Sequence, residues 1–277
     1  MTKSPPSPLR CPVCSAPLTP QDKMYGCENG HPFNVAKEGY INLLLSHQRK
    51  SKTPGDDPKM VMARRRFFDS GAYAPLTELV SKAPAFCQKE LSVLDCGCGE
   101  GQLLGALSEQ SEGFFCGIDI SKKAAQMASK RHKKATWLVA NSMRDIPIAD
   151  ASMEVILSVL APRNNTEFLR ILKPGGTLLI GVPGPNHLIE LRQQLQFTSG
   201  DFKEKANEAA EKCAPQFIET HREVLSFKQT LDKEQIADLI QMTPLFYRSS
   251  EEAKANVMKL DQISVTVSFT LLTLKSA

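Results

Sequence analysis

No stretch of this chain approaches the ~18–20 consecutive apolar residues that a helix needs to cross a bilayer. The opening residues, MTKSPPSPLR, also lack the apolar core of a signal peptide. The two absences give the expectation of a soluble, cytoplasmic protein with no membrane partner. There is little net charge: +4 over 277 residues, too mild for a histone-like polyanion binder. No internal repeat is visible, and low complexity stops with the Pro/Ser-rich first ten residues. Aromatics make up 6% of the chain and seldom interleave with lysines, so stacking on a single nucleic-acid strand is not evident.

Eight cysteines are present. Cys96, Cys98 and Cys116 fall in strand-like or Gly-rich segments, which fits free thiols in a reducing compartment better than disulfides. The segment CPVCSAPLTPQDKMYGCENGHPF poses a choice between a redox pair, a disulfide clip and a metal clip. A redox C-x-x-C wants a helix N-terminus after a strand, and none is indicated here. Cys11 and Cys14 form a C-x2-C knuckle, and Cys27 and His31 follow as C-x3-H. That is the closed ligand set of structural zinc, with no open position for catalysis. A segment this short is expected to fold only around its metal, and to serve recognition or docking.

The rest of the chain predicts one large domain after the small one. The polar stretch SHQRKSKTPGDDPK reads as a loop, followed by helices over 58–69 and 75–83. From residue 92, short apolar strands alternate with single helices: SVLDCGCG, QLLGALSEQ, FFCGIDIS, KKAAQMASKRHKK, ATWLVANS, MEVILSVLAP, TEFLRILKPGG, TLLIGVPGP. This pattern means an α/β fold with a doubly wound parallel sheet. Residues 187–222 read as a charged, helix-prone insertion without a strand. DKEQIADLIQMTP and EEAKANVMKL read as helices, and ISVTVSFTLLTL as the last strand. The boundaries implied are a zinc module over 1–36, a basic linker and helix over 37–72, and the catalytic domain over 73–277.

VLDCGCGEG ends the first strand of that domain with Asp95, then Gly97, Gly99 and Gly101. Glycines admit a ligand where a side chain would clash. The spacing is G-x-G-x-G rather than the dinucleotide G-x-G-x-x-G. An acid ahead of the glycines repels phosphate and suits a cationic amino group. Asp119, ending the second strand in GIDIS, can accept from ribose hydroxyls. A nucleoside joined to an amino acid and carrying no phosphate fits: S-adenosylmethionine. A chance Gly-rich turn is the bland alternative.

Taken with Asp119, ANSMRDIPIADASME and LKPGGTLLI, these motifs resemble those of class I S-adenosylmethionine-dependent methyltransferases. The resemblance implies a Rossmann-like, seven-stranded sheet whose last strand is antiparallel. The zinc module, AKEGYINLLL, PGD, ARRRFFDSGAYAPL, VPGPNHLIEL and QMTP, in that order, narrow it. The chain resembles the bacterial 23S ribosomal RNA guanine-N1 methyltransferases of the RlmA/RrmA-like family, over essentially its whole length. The resemblance implies zinc on Cys11, Cys14, Cys27 and His31, and cofactor contacts at Tyr73, Gly99, Glu100 and His187. It implies methyl transfer from S-adenosylmethionine to N1 of a guanine in a structured hairpin loop of 23S rRNA, at position 745, and a homodimer. The stretch VLAPRNNTEF departs from it at Arg163, Asn164 and Asn165.

Two rival readings stand beside this one: a small-molecule methyltransferase, and a non-catalytic RNA binder on a methyltransferase fold. Basic clusters bear on the choice. Arg49, Lys50, Lys52, Lys59, Arg64, Arg65 and Arg66 form one, read as an RNA contact. Lys122, Lys123, Lys130, Arg131, Lys133 and Lys134 form another, for which a solvated helix face is an equal reading. His132 and His221 read as solvated residues of charged helical stretches, and Trp137 as core or adenine-pocket wall. His187 sits at a strand's carboxyl edge, where α/β sites form. The target base is expected around Ala161, Pro162 and Arg163, and no general base can be named.

Overall fold

The computed structural model describes residues 7–49, 51, 54–88, 90–197, 204–243 and 248–277. Lys50 and Lys52 of the first basic cluster, and Pro244 of QMTP, lie outside the described residues. The chain divides into two compact units: one ends its first segment at Gly55 and takes Gln88–Leu178; the other takes Asp56–Cys87 and Leu179–Lys275.

The first unit opens with a ribbon of three short antiparallel strands, β1 (Thr19–Gln21), β2 (Met24–Gly26) and β3 (Pro32–Asn34), in that order. β4 (Ile41–Asn42) then pairs parallel to β7 (Thr136–Val139) through Ile41↔Leu138 and Asn42↔Val139. Tyr40, Ile41, Leu43 and Leu44 are buried, which anchors the segment after the ribbon to the sheet. The other strands are β5 (Glu90–Cys96), β6 (Glu112–Asp119) and β8 (Met153–Val159). They pair parallel in the order β8-β5-β6-β7-β4. β5 is central, and its Val93, Leu94 and Cys96 are fully buried, as the near-continuous apolar run requires.

Helices α3 (Gln102–Gln110), α4 (Lys122–Arg131) and α5 (Asn165–Ile171) follow β5, β6 and β8. Ser121 caps α4 by accepting from Ala124 N, and Asn164 caps α5 by accepting from Glu167 N. The ribbon is stitched to this unit by backbone. Arg10 N donates to Pro147 O at 3.1 Å and Ala149 N donates to Pro8 O at 2.7 Å. Leu9 bridges Ile148 antiparallel and is buried. Glu38 accepts from Gln126 Nε2 on α4 at 2.8 Å.

The second unit holds α1 (Pro58–Asp69), α2 (Ala74–Ser81), α6 (Ile189–Gln194), α7 (Lys205–Cys213), α8 (Lys233–Met242) and α9 (Glu251–Val257). Its strands are β10 (Phe217–Asp232), β11 (Gln262–Ser276) and the end of β9 (Leu172–Pro183), in the order β10-β11-β9. Gly184 N donates to Ser268 O and Leu188 N to Thr266 O, so β11 runs against the chain that leaves β9. The antiparallel last strand is therefore as expected, but the sheet has eight strands among the described residues rather than seven, because β4 adds to β7. Arg66 of α1 grips Asp238 of α8 through Nε at 3.0 and 3.1 Å and Nη2 at 2.5 Å. Arg66→Ala strands a largely buried carboxylate and costs about 1–3 kcal/mol, read as a lower urea midpoint at unchanged slope. An unchanged midpoint contradicts a structural role for this pair.

Three expectations are corrected here. Residues 187–222 do contain strand, because β10 begins at Phe217 and carries His221. β10 ends the strand order, so both its faces tolerate polar residues and the apolar alternation is lost. β9 begins at Leu172, ahead of the Pro-Gly-Gly turn, where Leu172 is buried and Lys173 pairs with Glu154 of β8. His132 is packed rather than merely solvated: a Cβ on Gly105 of α3 would stand 2.3 Å from its ring.

Candidate active site and metal centre

The turn after β5 carries the glycines at positive φ: +83° at Gly97 and +86° at Gly101. A Cβ at Gly97 would meet Ala161 Cβ at 2.5 Å, and one at Gly101 would meet Ala128 Cβ at 2.6 Å and Trp137 at 2.7 Å. Only glycine fits either place. Gly97 N and Cys98 N both donate to Ile118 O, so the turn is sewn to the end of β6. Asp119 completes it: Oδ2 accepts from Gly99 N at 2.9 Å and Oδ1 from Ser121 N at 2.8 Å.

Asp95 lies one strand away from Asp119 and is buried. Burial, with the charge of Asp119 added, pushes its carboxyl up to about 7. Glu100 is buried within the turn, and Trp137 is core, donating from Nε1 to His132 O at 2.8 Å. Burial raises the thiols of Cys96, Cys98 and Cys116, which stay protonated. Of the residues after β8, Ala161 lies against Gly97, while Asn164 is a helix cap that also donates to Met143 O. The dry acid and the glycine-lined turn suit a cationic, phosphate-free nucleoside, so the donor set fits S-adenosylmethionine.

In the second unit, buried Tyr73 and half-buried His187 form a pair, Oη to Nε2 at 3.2 Å. Ser268 N donates to His187 Nδ1 at 3.2 Å. Nδ1 is therefore the acceptor, and the ring proton sits on Nε2, facing Tyr73. The Tyr73 hydroxyl proton is left to point elsewhere. Burial holds His187 down at about 3 and lifts Tyr73, so both stay neutral. Phe67, Phe68 and Phe269 meet the Tyr73 ring edge-on at 4.9, 5.6 and 5.2 Å.

The metal ligand atoms of Cys11, Cys14, Cys27 and His31 lie within 4.8 Å of one another. Cys14 and Cys27 sulfurs are 3.7 Å apart, and His31 Nδ1 is 3.4 Å from Cys27 and 3.6 Å from Cys11. A tetrahedral zinc with its usual bond lengths sets ligand atoms about 3.5–3.8 Å apart, so the set fits. Two tight turns aim the ligands, closed by Ser15 N donating to Cys11 O and by Gly30 N donating to Cys27 O. Asn29 Nδ2 donates to Cys14 Sγ at 3.3 Å and, with the Ala16 amide, lowers that thiol to about 6. Sequence reading passed over Asn29; its place between two ligands was the available signal.

Of the first basic cluster, Arg64 pairs with Asp56 at 2.6 Å, Arg65 with Asp69 at 3.6 Å and Arg66 with Asp238. Much of its charge is thus used within the fold. In the second cluster, Lys134 pairs with Glu109 and Lys133 donates to Ser129 O and Glu38 O.

A glycine turn held by a β6 acid in a mostly parallel α/β fold, behind a Cys3His ribbon, defines a class I S-adenosylmethionine-dependent methyltransferase with a structural zinc. A model of the RlmA N-terminal zinc ribbon matches residues 9–52, and a methyltransferase-domain model matches 93–176. A Streptomyces fradiae chain named 23S rRNA (guanine(748)-N(1))-methyltransferase is 36% identical, with 95% of each chain covered. A Bacillus subtilis chain, named as a candidate 23S rRNA (guanine-N(1)-)-methyltransferase, is 31% identical over 96% of each. The protein belongs to this family. The methyltransferase solved with the Haloferax volcanii Trm112 activator shares the fold alone: TM-score 0.50, 20% identity, 80% of this chain and 99% of that one. No helix among the described residues is long and apolar enough to cross a membrane.

Proposed function

We propose that the enzyme methylates N1 of a guanine in a hairpin loop of 23S rRNA, at position 745. The supporting observation is the near-full-length kinship with the Streptomyces fradiae enzyme, ribbon included. Guanine N1 carries a proton at neutral pH, so the acceptor must lose it as the methyl arrives. The chain's share is to orient the base and to favour charge developing on O6. We assign zinc to Cys11, Cys14, Cys27 and His31, and the 1–36, 37–72 and 73–277 division to ribbon, basic segment and catalytic domain. A homodimer belongs to the same proposal and is tested by light scattering.

Cofactor binding is proposed for Asp95, Gly97, Gly99, Glu100, Gly101 and Asp119 from the turn's geometry. For Tyr73 and His187 it rests on the family resemblance and on the neutral, hydrogen-bonded pair that they form. S-adenosylmethionine supplies the methyl group on a sulfonium. Asp95 faces its cationic amine only as a carboxylate. Below pH 7 that carboxylate must first give up a proton, so affinity falls as pH falls, towards about tenfold per unit. Calorimetry between pH 8 and 5.5 checks this, and Asp95→Asn flattens the profile. A wild-type affinity independent of pH contradicts the role.

Primer extension on rRNA from deletion and complemented strains tests the target, because methylation at N1 blocks the Watson–Crick edge. A stop at 745 that disappears on deletion is the expected result. A stop at 748 instead corrects the position to that in the Streptomyces enzyme's name. Identical traces reject the rRNA substrate.

A further inference from the structure

The ribbon and the loop after β8 are tied together through one residue, Glu167, its side chain on the ribbon side and its backbone on the loop side. Its Oε2 accepts from Ile146 N at 2.7 Å, inside the loop on which the ribbon is stitched. Both of its oxygens take Arg170, from Nε at 2.7 Å and Nη2 at 2.8 Å. Arg170 also donates to Ile146 O and Ile148 O, and pairs with Asp150 at 2.5 Å. Arg10, the residue before the first zinc ligand, joins from the ribbon side. Its Nε donates to Ile146 O at 3.3 Å, and it pairs with Asp150 at 3.5 Å and Glu167 at 4.0 Å.

On the other side, Glu167 N donates to Asn164 Oδ1, and Asn164 Nδ2 holds Met143 O at 2.7 Å. Asn164 closes the loop that begins at Leu160. That loop sits at the carboxyl end of β8, where α/β enzymes bind ligands, with Ala161 against Gly97 of the cofactor turn. Leu160 holds a left-handed backbone, φ +55°, and its side chain is about half exposed. Such strain at a large apolar residue persists only where the surroundings enforce it. The Arg10, Glu167 and Arg170 side chains are 19%, 15% and 20% exposed, so water screens the cluster little.

We propose that Glu167 and Arg10 are positioning residues for methyl transfer, joining the folded zinc ribbon to the Leu160–Asn164 loop so that this loop is set for the acceptor base only when the ribbon is intact. Among the described residues neither side chain hydrogen-bonds to the glycine turn, so their loss is expected to disturb the acceptor side first. The assignment of the loop to the acceptor rests on the rRNA reading above; the mechanical link does not.

The test uses the full-length zinc-loaded protein with Arg10→Ala, Arg10→Lys and Glu167→Ala. Two readouts separate the link from the substrate reading. Hydrogen exchange at the amides of Ile146, Glu167 and Phe168 is expected to quicken at least tenfold in both alanine variants and in chelator-treated wild type, with Arg10→Lys in between. Methyl transfer to 23S rRNA is expected to lose at least tenfold in kcat/KM, while affinity for S-adenosylhomocysteine stays within twofold. Exchange unchanged by the substitutions overturns the link, whatever the substrate. Equal losses of cofactor affinity and transfer overturn it too, as general loosening. Quickened exchange with full transfer overturns the positioning role alone. Wild type silent on rRNA but showing the exchange pattern faults the substrate reading and leaves the link standing.

Discussion

Gly101→Val is expected to lose most of its cofactor affinity. Gly101 is left-handed and has no room on its Cβ side: Ala128 and Trp137 would be met at 2.6 and 2.7 Å. A β-branched residue adds backbone strain to overpacking, together about 2–5 kcal/mol. The turn must shift, and with it the Gly101 N–Cys98 O bond and the Gly99 N–Asp119 bond that shape the floor. A displacement of this kind at a ligand cradle costs roughly a hundredfold or more in productive binding. Calorimetry with S-adenosylhomocysteine reads the loss, and zinc content, read alongside, shows the ribbon still loaded. Retained affinity would remove the turn from the cofactor site.

Cys14→Ser is expected to do the opposite: zinc is lost, cofactor affinity remains and rRNA methylation collapses. The ribbon strands hold three residues each, too few to bury a core, so metal binding is its folding free energy. A serine hydroxyl does not replace a thiolate that the Asn29 amide already holds at about 6. Transfer to 23S rRNA should fall about a hundredfold or more. The parallel sheet of β5 to β8 has its own buried core, so S-adenosylhomocysteine should bind as before. Zinc release is read by a colorimetric chelator. Full methylation without metal would make the ribbon an ornament.

How much of this could be seen in the sequence depends on range. The glycine turn was legible because each requirement is local: an acid at a strand end, then glycines where the backbone turns left-handed. The zinc set was legible for the same reason, as ligand spacing is a property of two short turns. The first strand of the alternating block, and helices α1, α3 and α4, fell where periodicity put them. β10 did not show, because a strand with solvent on both faces keeps charged residues throughout and loses the apolar alternation. Arg64, Arg65 and Arg66 read as an RNA-facing cluster; the sequence could not reveal that Asp238, 172 positions away from Arg66, takes its guanidinium. Glu167 was equally silent. Its partners come from the ribbon and from the loop after β7, and only the fold brings them together.

This chain is assigned the transfer of a methyl group from S-adenosylmethionine to N1 of a guanine in 23S rRNA. The most direct measurement is nucleoside mass spectrometry of unmodified 23S rRNA after incubation with the purified, zinc-loaded protein and a methyl-labelled cofactor. Labelled 1-methylguanosine is the expected product, absent with the Gly101→Val protein. Label on another nucleoside, on a ribose or on another guanine nitrogen, or no label in the RNA at all, would contradict it.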